Sequence, residues 1–296
     1  MQVDKAAGAL GAYVKDVSLA DAATSSDLFG EIREALLTHQ VLFFRDQDIS
    51  PVEYQAFARQ FGQVEGHPAY QTVPEAPDVQ VLESTAEAPS KIEVWHTDMT
   101  FRPAPPAITL LHGQIIPAYG GDTLWASISA AYEGLSEPMR KLVDDLEAVH
   151  DFRHGFQESL AEPGGPERLA PAIAENPPVT HPLIVTHPET GKRVIYVNAL
   201  FTTHIVGLSA AESRMLLEFL YRHVVTEEYT VRLSWAPKTV AIWDNRATQH
   251  KPVNDFFPQH RKMHRVTIAG ESPGEPAVSE SSAGSGGKES LGVGLD

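Results

Sequence analysis

The order of apolar and polar positions divides the chain into many short strands and a few amphipathic helices. Residues 27–37 place Leu28, Ile32, Ala35 and Leu36 on one face, which is helical spacing. Val41-Leu42-Phe43-Phe44-Arg45 is an unbroken apolar run, as expected of a strand buried on both faces. Ser50-Pro51-Val52-Glu53 is a capping box with proline in the first turn, and it predicts a helix whose Tyr54, Phe57, Ala58 and Phe61 face the core. A second box, Ser209-Ala210-Ala211-Glu212, opens a helix over 210–224. Ser136 is expected to cap a helix that buries Met139, Leu142, Val143 and Leu146.

Strands are expected within 8–20, at 79–82, at 107–116 with a break at Gly113, and at 123–125 after a turn over 119–122. Closing strands follow at 229–233, 240–244 and 263–269, and 179–186 should pair with 193–198 as a hairpin. Residues 151–178 hold five prolines and the adjacent Gly164 and Gly165, and read as loop. Residues 83–91 read as a polar lid loop. Short strands joined by Gly, Pro and Asn turns, with fewer helices, predict a mainly β fold with surrounding helices, a jelly roll. Residues 1–270 are expected to form a single domain. Residues 271–296 are rich in Gly, Ser, Glu and Pro, lack aromatic residues, and read as a disordered tail.

Composition narrows the function. The chain has 296 residues, 42% hydrophobic, enough for a sizeable core. No apolar run is long enough to span a bilayer, and the first residues do not resemble a secretory signal. A net charge of −16 argues against nucleic acid and anionic membranes as partners. Cysteine is absent, so a metal site must be built from histidine and carboxylates. A cytoplasmic enzyme acting on a small molecule fits these features.

The candidate chemistry lies in Val94-Trp95-His96-Thr97-Asp98-Met99-Thr100-Phe101. Its β-branched and aromatic residues predict a strand, on which His96 and Asp98 share a face. One imidazole beside one carboxylate is two-thirds of a two-histidine, one-carboxylate iron site. His250, in Trp243-Asp244-Asn245-Arg246-Ala247-Thr248-Gln249-His250, is the candidate third ligand. His187-Pro188-Glu189 has the same spacing, but Thr190-Gly191-Lys192 marks it as a hairpin turn. Arg261 and Arg265 fall on one face of a predicted strand, about 13 Å apart at the backbone, so they suit two different anions.

These motifs, together with Gly120-Gly121-Asp122-Thr123-Leu124-Trp125 and Met263-His264-Arg265, resemble the taurine dioxygenase family over residues 8–270. The resemblance implies a double-stranded β-helix and a dioxygenase that uses Fe(II), 2-oxoglutarate and O2. It implies iron ligands His96, Asp98 and His250, and 2-oxoglutarate contacts from Thr123 and Arg261. It implies an anionic substrate held by Arg265, His67 and Tyr70, against an apolar wall of Phe156 and Phe201. Hydroxylation of the carbon next to a sulfonate would give an aldehyde, sulfite, succinate and CO2, with taurine the first substrate to consider. Family members are commonly dimers or tetramers, so a homo-oligomer is expected.

One position departs from the family pattern. Ile92 stands where the taurine enzyme has a substrate-contacting asparagine, and an aliphatic side chain offers no hydrogen bond. Alkyl sulfate esters and longer alkyl sulfonates are therefore alternatives, with aryloxyalkanoates further off. A zinc hydrolase or a non-catalytic metal-binding barrel could use the same three ligands, but would leave the two arginines without a role.

Overall fold

The computed structural model describes residues 1–66, 70–90 and 92–274. In chain order the strands are β1 (Gln2–Lys5), β2 (Ala12–Lys15), β3 (Val41–Phe44), β4 (Thr72–Val73), β5 (Ala76–Ser84), β6 (Ile108–Ile115), β7 (Thr123–Ser127) and β8 (Glu147–His150). They continue with β9 (Val179–Pro182), β10 (Ile184–Thr186), β11 (Arg193–Ile195), β12 (Thr202–Ile205), β13 (Thr230–Leu233), β14 (Val240–Asp244), β15 (Thr248–Pro252) and β16 (Arg261–Ile268). The helices are α1 (Leu19–Ala22), α2 (Ser26–His39), α3 (Pro51–Arg59), α4 (Ile128–Gly134), α5 (Glu137–Val143), α6 (Phe152–Gly155), α7 (Gln157–Ala161), α8 (Gly165–Glu175) and α9 (Ala210–Val224).

The large sheet runs β1-β2-β3-β14-β6-β16-β5-β4 and a smaller one runs β13-β7-β15. Side-chain alternation splits the large sheet into two buried faces. Leu42, Phe44, Val240, Ile242, Leu110 and Val266 join the core with α1, α2 and α3. Val41, Phe43, Ala241, Trp243, Leu111 and Met263 pack with Trp125, Val231 and Leu233 of the small sheet. This is why residues 41–44 are apolar without a break. Two β-sheets closing on one core, with helices outside, form the expected jelly roll. A third sheet, β12-β8-β9, and the pair β10-β11 carry a further core under α4 and α9.

Both capping boxes form, at Ser50 with Glu53 and at Ser209 with Glu212. Other expectations need correction. Gly113 does not break β6; the ladder steps from Met263 opposite Gly113 to Lys262 opposite Ile115, a bulge that absorbs Gln114. The expected hairpin over 179–198 is only Ile184–Thr186 against Arg193–Ile195, because β9 pairs with β8 instead. Residues 151–178 are helical over α6, α7 and α8. In α8, Gly164 supplies the left-handed N-cap and proline falls in the first turn, so the turn-forming residues start this helix rather than prevent it. Leu142 is 56% exposed, since α5 stops at Val143 and turns only that residue fully inward. Of the expected tail, residues 275–296 lie outside the described residues.

Leu110 is fully buried in β6. Leu110→Ala should cost about 2–5 kcal/mol in urea unfolding, whereas Leu142→Ala should stay within about 0.5 kcal/mol.

Candidate active site

His96 and His250 meet through their own backbones. The His96 N–H donates to the His250 carbonyl at 3.0 Å, and the His250 N–H donates back at 2.7 Å. This single antiparallel bridge sets the two imidazoles side by side, with ring centroids 4.2 Å apart. His250 lies on β15, whose pairing puts it opposite Trp125 of β7. His96 arrives on the connection from β5 to β6, so the bridge joins that connection to the small sheet.

The expected strand over 94–101 does not form. Pairing is confined to His96, and the chain turns at 98–101, with Met99 at a left-handed φ of 46°. Pro103, Pro105 and Pro106 follow and cannot extend a ladder. The Thr97 hydroxyl donates to the Thr248 carbonyl at 2.8 Å, fastening the start of the turn to β15. Convergence of His96 and Asp98 thus comes from a strained turn, at a cost of about 1–3 kcal/mol, rather than from strand alternation.

His96, Asp98 and His250 are buried, and their ligand atoms lie within 4.8 Å of one another. The His96 Nδ1 sits 2.8 Å from the Val94 carbonyl, which assigns its proton to Nδ1 and leaves the Nε2 lone pair facing inward. Asp98 Oδ2 accepts from the Thr109 hydroxyl at 2.8 Å. Its Oδ1 lies 3.9 Å from His96 Nε2 and 3.7 Å from His250 Nε2. Burial lowers the basicity of both rings, that of His250 to about 3, where His96 adds to the effect. Burial alone would raise the Asp98 pKa, but His250, Arg265, His96 and Thr109 together hold it below the usual carboxylate range. Two neutral imidazoles and one carboxylate are the donor set a divalent ion requires.

The two arginines have different surroundings. Arg261 is half-buried beside Trp235 and Phe256, its guanidinium 5.8 and 5.9 Å from their ring centroids. Its Nε has no hydrogen-bond partner. Asp122 lies nearby but is taken by Arg232 at 2.6 Å. Burial lowers the Arg261 pKa to about 10 against the pull of Asp122. Thr123 opens β7, and its hydroxyl accepts from Trp235 Nε1 at 3.0 Å, so Trp235 links Thr123 to Arg261. Arg265 donates two bonds to the neutral Gln80 Oε1, at 3.2 and 3.0 Å, and lies 4.9 Å from the centre of the Tyr70 ring.

Phe201 and Phe152 pack around Phe101, three residues past Asp98, and Phe156 stacks on Phe152. Leu169, Ala172 and Ile173 of α8 close the outer side of this cluster. The Ile92 carbonyl is held by the Asn254 side-chain amide at 3.1 Å. His67 lies outside the described residues.

The sequence profile of the taurine catabolism dioxygenase TauD, TfdA family matches residues 2–267. The chain belongs to this family. An alkylsulfatase of Acinetobacter baylyi is 39% identical over 276 residues, which cover 92% of this chain and 86% of that protein. An α-ketoglutarate-dependent sulfate ester dioxygenase of Pseudomonas putida is 38% identical over 281 residues, covering 92% and 91%. The crystal structure of a taurine dioxygenase from Burkholderia xenovorans matches with a TM-score of 0.78 and 37% identity, over 92% of this chain and 90% of that one. Membership of the TauD, TfdA family makes the protein a dioxygenase and decides against the zinc-hydrolase reading. The cofactors that go with the family are Fe(II), 2-oxoglutarate and O2.

In this TauD-family chain, the turn between β14 and β15 rests on a buried ionic network that sequence reading does not reveal. Arg246 holds both Asp244 oxygens, at 2.9 and 2.7 Å, and reaches Glu189 at 2.8 Å. Glu189 also pairs with Arg33. His187 is 2% exposed and lies 3.0 Å from Asp244 through Nε2, so the second His-x-Glu motif is structural, as expected, although far more buried than a surface turn.

Burial would raise the Asp244 pKa, but Arg246 and His187 hold it well below the ordinary carboxylate value. A depressed pKa contributes stability above the unfolded value near 4, and that stability is lost as pH falls. Asp244→Asn should therefore cost about 3 kcal/mol at pH 7. In urea unfolding, the gap from the unmodified protein should narrow below pH ~4.

Proposed function

We propose that this protein is an Fe(II)- and 2-oxoglutarate-dependent dioxygenase of alkyl sulfate esters, with residues 1–270 acting as one catalytic unit. The observation that carries the reading is a buried His-Asp-His cluster that feels the charge of Arg265, together with a second arginine, Arg261, beside Thr123's partner Trp235; neither arginine has a carboxylate hydrogen-bonded to it among the described residues. A half-buried cation with no carboxylate bonded to it is a ready partner for an anionic ligand. Two such cations suit two anions, a cosubstrate carboxylate and a substrate oxyanion.

In this reading His96 Nε2, Asp98 Oδ1 and His250 Nε2 hold the iron. Arg261 and the Thr123 hydroxyl take the far carboxylate of 2-oxoglutarate. Arg265 takes the sulfate, with Tyr70 flanking its guanidinium and His67 completing the grip. Phe156 and Phe201 line the path of the alkyl chain and keep water away from the reacting carbon. Bound in this site with 2-oxoglutarate and O2, Fe(II) supplies the oxidant that converts a C–H bond to C–OH, while 2-oxoglutarate becomes succinate and CO2. A carbon that carries both a hydroxyl and a sulfate ester then collapses. The C–O bond to sulfate breaks with its electron pair, the hydroxyl proton leaves to water, and aldehyde and sulfate separate.

The sulfate ester is preferred over taurine for two reasons. Ile92 cannot accept a hydrogen bond from taurine's ammonium group, and the aromatic cluster suits a hydrocarbon chain. The names of the Acinetobacter and Pseudomonas relatives support the same choice. The Burkholderia structure favours a second reading, in which an alkyl sulfonate such as taurine is the substrate and sulfite is released. The leaving anion separates the two.

Aerobic turnover with Fe(II) and 2-oxoglutarate should release sulfate from hexyl sulfate, in step with succinate, faster than sulfite from taurine. The reverse ranking would move the substrate to sulfonates, and no turnover with either would remove the substrate assignment. Arg261→Met should raise the KM for 2-oxoglutarate about 10- to 100-fold, the value of a hydrogen bond to a charged group, with the sulfate KM little changed. Arg265→Met should do the opposite.

A further inference from the structure

Asp98 reaches the site from a turn, yet its carboxylate is oriented from the centre of the large sheet. Trp243 Nε1 donates to Asn245 Oδ1 at 3.0 Å, Asn245 Nδ2 donates to Thr109 Oγ1 at 2.8 Å, and Thr109 Oγ1 donates to Asp98 Oδ2 at 2.8 Å. Trp243, Asn245 and Thr109 are 2%, 1% and 0% exposed, so water does not substitute for any link. Thr109 and Trp243 are register partners across β6 and β14. The Asn245 N–H is also fixed, by the Ala107 carbonyl at 2.8 Å.

The direction of each bond follows from the one before. An indole N–H only donates, so the Asn245 atom facing Trp243 must be the oxygen. The Asn245 NH2 is then the group facing Thr109, and the threonine oxygen must accept. Its one proton is left for Asp98 Oδ2. With Oδ2 engaged, Oδ1 is the carboxylate atom presented to the two imidazoles.

We infer that Trp243, Asn245 and Thr109 are positioning residues that hold the Asp98 carboxylate with Oδ1 turned toward the two imidazoles. A carboxylate free to rotate must be ordered before it can serve with the two imidazoles, which weakens the site. The inference rests on the metal-centre reading above and adds to it the residues that set the geometry of one ligand. Partners of this kind orient a metal ligand, and their loss typically costs 10- to 100-fold in affinity or activity.

The test is the Mn(II) dissociation constant, from the electron paramagnetic resonance signal of free Mn(II), with the melting temperature of the metal-free protein measured alongside. Thr109→Val keeps the shape and removes the proton. It should weaken Mn(II) about tenfold or more while leaving metal-free melting nearly unchanged. Thr109→Ser restores the hydroxyl and should restore the affinity, which a packing role for the threonine methyl would not do. Asn245→Asp keeps the volume and puts an acceptor where the NH2 stood. It draws the threonine proton away from Asp98, should also weaken Mn(II), and decides the matter if Thr109→Val fails to fold. Unmodified protein that binds Mn(II), with both variants binding as tightly, would overturn the positioning role alone. Unmodified protein that binds no Mn(II) would overturn the metal centre as well.

Discussion

Two backbone hydrogen bonds between His96 and His250 organise this protein. They bring the connection from the large sheet onto a strand of the small sheet, at the residues whose side chains must converge. Because the bonds are made by the main chain, the imidazoles keep their inward lone pairs for a ligand. The turn that follows delivers Asp98 between them. The same bridge that joins the two sheets therefore also gathers the His-Asp-His cluster.

Charge is distributed on a matching principle. Arg246 is as deeply placed as a functional cation, but it is saturated by Asp244 and Glu189 and serves the turn that leads to β15. Arg261 and Arg265 are left unsaturated by design of their neighbours. Asp122 is drawn off by Arg232, and the residue facing Arg265 is a neutral glutamine where a glutamate would cancel the charge. What distinguishes an arginine that braces the fold from one that binds a ligand is who stands beside it, and the two ligand-binding candidates stand beside aromatic rings.

Much of the architecture was legible from local signals. The capping boxes at Ser50 and Ser209 specify helix starts through bonds made within four residues. The apolar run at 41–44 announces a strand covered on both faces. The convergence of His96, Asp98 and His250 was legible because few residue types suit a metal site, so their motifs stand out in the chain. Features set by distant partners were not legible. The stretch 94–101 has strand-forming residues, but only His96 finds a partner, so propensity was overridden by tertiary contacts. Residues 151–178 looked like loop because proline and glycine mark helix starts as well as turns. Trp235, Asn245 and Thr109 carry no motif. Their roles depend on which atoms face them across the sheets, and no spacing along the chain encodes that.

The placement of the candidate ligands along the chain has a thermodynamic consequence. About half of the chain lies between Asp98 and His250. The unfolded polypeptide therefore holds them far apart and has no comparable site. An ion that binds only the closed fold shifts the folding equilibrium by mass action, in proportion to the logarithm of its free concentration over its dissociation constant. On the proposed reading, iron supply and conformational stability would be one linked equilibrium.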